Sequence, residues 1–158
     1  MGLLNDEMKR RADDVFIGTY LRYPAAMVAG SGSVLTDADG KEYLDFLAGI
    51  AVCSLGHCHP AVTEAVKKQV ETLVHVSNLY YTKPQTELAE LLVENSFGDK
   101  VFMANSGAEA NEGAIKLARI ASPGGRYEIL TFGGSFHGRT LATVAATAQA
   151  KFHQGFEP

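Results

Sequence analysis

The stretch Lys100-Val101-Phe102-Met103-Ala104, running at once into Asn105-Ser106-Gly107-Ala108-Glu109 and then Ala110 to Ala121, decides the fold. The first five residues read as a buried strand, the next five as a turn, and the rest as a helix. Pro123-Gly124-Gly125 stops that helix, and Tyr127-Glu128-Ile129-Leu130-Thr131-Phe132 supplies a second strand. A loop, Gly133-Gly134-Ser135-Phe136-His137-Gly138-Arg139, then leads to a helical stretch from Thr140. Strand, helix, strand, helix at these lengths predicts an α/β protein built on a βαβ unit with a parallel, right-handed crossover.

Upstream, Thr82-Lys83-Pro84-Gln85 has the form of a capping box and opens a helix with an inward stripe of Leu88, Leu91 and Leu92. A further helix spans Ala61 to about Val74 after Pro60, with Val62, Val66, Val70 and Leu73 on one buried face. Ser33–Thr36 and Glu42–Phe46 flank Asp37-Ala38-Asp39-Gly40, a predicted β-hairpin. That loop lacks the further oxygen ligands of a calcium site. Residues 5–17 predict an exposed helix or arm.

The chain has 158 residues, 46% hydrophobic and 20% charged. That composition excludes general disorder, and a monomer of this length is expected to bury about 68–70% of its extended surface around a core. The formal charge of −4 gives no support to nucleic acid or anionic membrane as a partner. No apolar run is long enough to span a bilayer, and the first residues lack the basic start and apolar stretch of a signal peptide. Gly2 invites a myristoylation reading, but Asp6 stands where Ser or Thr is wanted. With two cysteines, the chain is no secreted disulfide scaffold. A cytoplasmic protein is expected.

Ser106-Gly107-Ala108-Glu109 has two readings: a well-capped helix, or an anion site in which near-bare backbone N–H groups meet a phosphate at the positive end of the helix dipole. The Gly133–Arg139 loop occupies the equivalent place after the next strand, so both loops belong to one candidate pocket. Phe136 offers a flat face to an aromatic ligand or fills a core; Arg139 offers a planar fork to a carboxylate or points to solvent. The hydrolase elbow is rejected, because His137 stands where its second glycine is required. Cys53, His57, Cys58 and His59 are poorly spaced for a tetrahedral metal, so no metal site is expected.

These motifs strongly resemble the class III pyridoxal-phosphate aminotransferases. The resemblance is carried by Asn105 to Glu112, Lys116-Leu117-Ala118-Arg119 and Ser135 to Thr140, with Asp39-Gly40, Tyr43 to Phe46 and Gly49 to Pro60 in matching order. Thr19-Tyr20, Arg22-Tyr23-Pro24 and the Gly49–Pro60 run look most like the acetylornithine branch. The resemblance implies the N-terminal part of an aspartate aminotransferase-like (type I) fold. Residues 1–77 would be an N-terminal arm and small-domain segment, and 78–158 the first part of the large cofactor-binding domain with an incomplete parallel or mixed sheet.

By the same resemblance, Ser106, Gly107 and Ala108 would hold the phosphate of pyridoxal 5′-phosphate, Phe136 would stack on its ring, and His137 would stand beside it. Arg139 would bind the substrate α-carboxylate and Tyr20 the substrate side; His57 and His59 would be structural. The implied reaction moves the δ-amino group of N-acetylornithine to 2-oxoglutarate, in arginine biosynthesis, within a homodimer. Ornithine, N-succinylornithine and 4-aminobutyrate are the alternative donors, and a non-catalytic module pairing with another chain is the alternative role. The family's Schiff-base lysine lies far downstream of the Phe136–Arg139 loop. None of the eight lysines here has that context, so no catalytic residue is expected in this chain and the isolated polypeptide is predicted to be inactive. An interrupted large domain is also expected to expose a sheet edge and apolar helix faces unless another chain covers them.

Overall fold

The computed structural model describes residues 2–157. The chain divides between Ser77 and Asn78 into two compact units.

In the first unit, helix α1 (Leu3–Val15) precedes three strands, β1 (Met27–Ser31), β2 (Val34–Asp37) and β3 (Glu42–Leu44). They form an antiparallel sheet in the order β1-β2-β3, with Leu35 opposite both Gly30 and Tyr43 and a register irregularity between Met27 and Ala29. The expected hairpin is therefore the second half of a meander. Its turn is organised by buried Asp37, whose carboxylate accepts from the Asp39 and Lys41 amides, the Asn5 amide and the Tyr43 hydroxyl, all within 3.0 Å.

The same turn fixes the arm. Asp39 accepts from the Leu4 and Asn5 amides at 3.0 and 3.1 Å, supplying an anion at the N-terminus of α1. Asn5 is itself buried and accepts from the Ala26 amide at 2.8 Å, so α1 is tied to the start of β1 as well. Gly2 belongs to this junction: a Cβ there would lie 2.2 Å from the Asp39 carboxyl carbon.

Beyond the sheet, α2 (Ala48–Ala51) is one turn with positive φ at all four residues, 47° to 63°. It is wound left-handed, a conformation that costs an L-residue roughly 1–2 kcal/mol. Asp45 steadies its entry by accepting from the Leu47 and Ala48 amides at 2.8 and 2.9 Å. Helix α3 (Pro60–Thr72) follows, with Pro60 in its first turn as expected.

The second unit contains α4 (Lys83–Glu94), α5 (Gly107–Ala121) and α6 (Leu141–Ala146), with short 3-10 turns at Pro123–Gly125 and Ala150–Phe152. Thr82 makes no side-chain cap to α4, so the expected capping box is not formed; the Thr82 carbonyl instead accepts from the Thr86 amide and hydroxyl. Its fully buried side chains, Thr143 and Thr147, are polar and internally hydrogen-bonded.

The chain is α/β with one small sheet, as expected, and two finer expectations are not met. The parallel or mixed sheet of the second unit does not form among the described residues: 100–104 and 127–132 make no ladder with one another or with any other strand. A strand exists only by pairing, and the apolar sequence of each run supplies the face but not the neighbour. Nor is there an apolar core, because no apolar side chain among the described residues is buried. Val62, Val66, Val70 and Leu73 are 44–61% exposed, and Leu88, Leu91 and Leu92 are 45–56% exposed. The accessible surface, 13482 Å² for 16.9 kDa, compares with about 7,700 Å² for a folded monomer of that mass. The helices form from local sequence, but their apolar faces stay exposed among the described residues.

Candidate active site

Ser106 is the N-cap of α5, in extended conformation, and its Oγ accepts from the Glu109 amide at 3.2 Å. The Glu109 carboxylate reaches back to the Asn105 amide at 2.7 Å, one residue beyond the Ser106 amide that a capping box uses. The first main-chain bond of the helix is Ala110 N to Ser106 O at 3.0 Å, so the N–H groups of Gly107 and Ala108 precede it and have no acceptor among the described residues. The Ser106 hydroxyl keeps its proton free to donate. A Cβ at Gly107 would meet nothing within 4 Å. The end of α5 thus presents two amides and a hydroxyl beside open space.

The 135–139 loop lies against this end. Gly138 has φ of +138°, and a Cβ there would fall 2.8 Å from Ala108 Cβ and 2.6 Å from Thr143 Oγ1. Only glycine allows that approach. Asn111, one helical turn after Gly107, donates from Nδ2 to the His137 carbonyl at 2.7 Å, and the Thr140 hydroxyl donates to Glu112. On the loop's other side, the His137 amide donates to Thr147 Oγ1 at 2.9 Å. Ser106, Gly107 and Ala108 are therefore joined to Phe136, His137 and Arg139 although the sheet expected to align the two loops does not form among the described residues.

Phe136 is half exposed, and its ring meets Phe152 edge to face at 5.7 Å. The Arg139 guanidinium stands 4.3 Å from the Phe152 centroid and 5.6 Å from that of Phe136, with no ion pair among the described residues. Ser135 Oγ and His137 Nδ1, on either side of Phe136, are buried without a hydrogen-bond partner. Free amides at open space, orphaned polar atoms and an accessible aromatic face fit a phosphate joined to a flat, polar ring.

Tyr20 belongs to the first unit, where it lines a cavity of about 330 Å³ with Asn5, Met8, Arg22 and Tyr23. His57 Nε2 pairs with Asp45 at 2.6 Å, and this hydrogen bond, with those from the Ala48 and Leu47 amides, holds the Asp45 carboxyl below its ordinary range. Sequence reading did not single out Asn111, Thr147 or Phe152. For Asn111 the signal was available in its spacing, since residues four apart share a helix face.

A family model described as aminotransferase class-III matches residues 19–158. An acetylornithine aminotransferase of Caldanaerobacter subterraneus subsp. tengcongensis is 60% identical over 144 residues, covering 89% of this chain and 37% of that relative. Among solved structures, the ornithine aminotransferase of Toxoplasma gondii ME49 aligns with a TM-score of 0.89 at 27% identity, over 98% of this chain and 38% of that one. A taurine:2-oxoglutarate aminotransferase from Bifidobacterium kashiwanohense, in complex with pyridoxal phosphate and glutamate, gives 0.82 at 28% identity, over 94% and 34%. The chain thus spans just over a third of each relative's length. No helix among the described residues is long and apolar enough to cross a membrane.

Proposed function

The chain belongs to the class-III aminotransferases, whose cofactor is pyridoxal phosphate, and we propose that it forms the phosphate- and ring-binding part of an acetylornithine aminotransferase. The carrying observation is the junction of the α5 N-terminus with the 135–139 loop through Asn111 and Gly138. In this reading, the Ser106 hydroxyl and the Gly107 and Ala108 amides donate to the cofactor phosphate. Their fixed geometry and the helix dipole favour a dianion at this helix end. Phe136 covers one face of the ring and shields it from water. When bound, the cofactor supplies an electron sink for the carbon carrying the amino group.

Arg139 binds the α-carboxylate, its two parallel N–H donors fixing which end of the substrate is held and leaving the δ-amino group as the reacting end. Tyr20 contacts the substrate. The 60% identity to a relative named acetylornithine aminotransferase favours N-acetylornithine as donor and 2-oxoglutarate as acceptor, in arginine biosynthesis and as a cytoplasmic homodimer. Transfer assays on the complete enzyme test this. A kcat/KM for N-acetylornithine above those for ornithine, N-succinylornithine and 4-aminobutyrate supports the assignment, and the reverse order reassigns the donor.

None of the eight lysines in this sequence stands in the family's cofactor-anchoring context, so residues 1–158 alone have no turnover in this reading. The uncovered faces of α3 and α4 favour one further role for such a chain, pairing with another polypeptide without chemistry. Borohydride treatment tests the inactivity: covalent trapping of cofactor on the isolated chain, with amino transfer, contradicts it.

A further inference from the structure

We infer that Phe152 is a positioning residue for Arg139: its ring is the shelf that holds the guanidinium with both N–H edges free to receive a substrate carboxylate. This rests on the reading of Arg139 as the carboxylate fork. Arg139 is itself exposed at the end of its loop, and a long side chain there loses rotamer freedom when a ligand fixes it. Stacking on a ring removes part of that freedom before the ligand arrives while leaving the in-plane donors unused.

The geometry has these features. The guanidinium carbon lies 4.3 Å from the Phe152 centroid, nearer than to Phe136 at 5.6 Å. The two rings brace each other edge to face, with an interplanar angle of 68°. Phe152 is held in turn by a 3-10 turn whose amide–carbonyl bond, Phe152 N to Gln149 O, is 2.9 Å. The Gln149 side chain donates to the carbonyls of Gly134 and Ser135, and the Gly134 amide donates to Ala148 O at 3.0 Å. The shelf is thus stitched to the loop that carries Arg139. Lys151 places its ammonium 4.8 Å from the same ring centroid, so a second cation shares this aromatic surface.

The test uses the complete holoenzyme. Phe152→Leu is expected to raise KM for the amino-acid donor about tenfold, the scale of one stacked cation, with kcat and the bound-cofactor absorbance little changed. Phe152→Tyr restores KM, and Phe152→Leu adds nothing to Arg139→Ala. Phe152→Met, whose unbranched chain adapts to the space without offering a ring, repeats the KM effect if the leucine variant fails to fold. An unchanged KM in Phe152→Leu or Phe152→Met, beside a raised KM in Arg139→Ala, overturns the positioning role alone. Loss of cofactor together with kcat also overturns it, since the ring is then structural. An unchanged KM in Arg139→Ala removes the carboxylate reading itself.

Discussion

The side-chain amide of Asn111 donates to the main-chain carbonyl of His137 at 2.7 Å, joining a helix to a loop 26 positions further on. Asn111→Ala leaves that carbonyl without its partner, a loss of about 1–3 kcal/mol for a group withdrawn from water. Because the bond aligns the two halves of the site, cofactor affinity in the complete enzyme should fall about tenfold or more. Equilibrium titration followed by cofactor absorbance measures this, and an unchanged affinity would detach Asn111 from the site.

Gly107 separates the anion-site reading from the simple cap. A Cβ there meets nothing within 4 Å beyond its own helix and chain neighbours, and glycine is the weaker helix former by about 1 kcal/mol. Gly107→Ala should therefore leave thermal stability equal or higher while weakening cofactor binding, and Gly107→Val should weaken it further. Retained affinity in both variants would reduce Ser106–Ala108 to a helix cap.

Much of the local structure was legible in the sequence because its causes are local. Pro60 starts α3, Ser106 caps α5, and Asp37 to Gly40 turn the hairpin. What failed depends on partners distant in the chain. Phe102 and Phe132 sit in runs that have strand sequence but no ladder, and both are more than 70% exposed. Met27–Ser31 was missed because its sequence alone is a weak strand signal, and pairing with Val34–Asp37 makes the strand. Ser106, Gly107, Ala108, Phe136, His137 and Arg139 are proposed from motif and resemblance, and the structure brings together the two loops that carry them. Phe152 was not legible in this way, since its role exists only through a ring contact with Arg139.

Asp37 gives a pH dependence. Burial alone would push its carboxyl up, but hydrogen bonds from Tyr43, the Lys41 amide, Asn5 and the Asp39 amide outweigh this and hold it at about 2, below the ordinary 3.8. With the folded value below the unfolded one, its stabilisation is complete above 3.8 and is lost as pH falls toward about 2. Hydrogen-exchange protection of the Leu4 and Asn5 amides, which the same turn caps, should decline across that window. Tyr43→Phe should move the decline to higher pH; protection that is flat through the window contradicts this account of the junction.

Ala51 stands in the left-handed turn with φ of 63° and is exposed, so little packing depends on its methyl group. Glycine takes that conformation without the steric cost, and Ala51→Gly should stabilise the complete enzyme by about 1 kcal/mol. Thermal unfolding reads this directly as a raised midpoint. A lowered midpoint would mean that the turn is not wound as described.

The most direct measurement is an experimental structure of the complete enzyme with pyridoxal phosphate bound. It should show the phosphate within hydrogen-bond distance of Ser106 Oγ and the Gly107 and Ala108 amides, with the ring against Phe136. A cofactor whose phosphate rests on other residues, leaving the α5 N-terminus to water, would contradict the account.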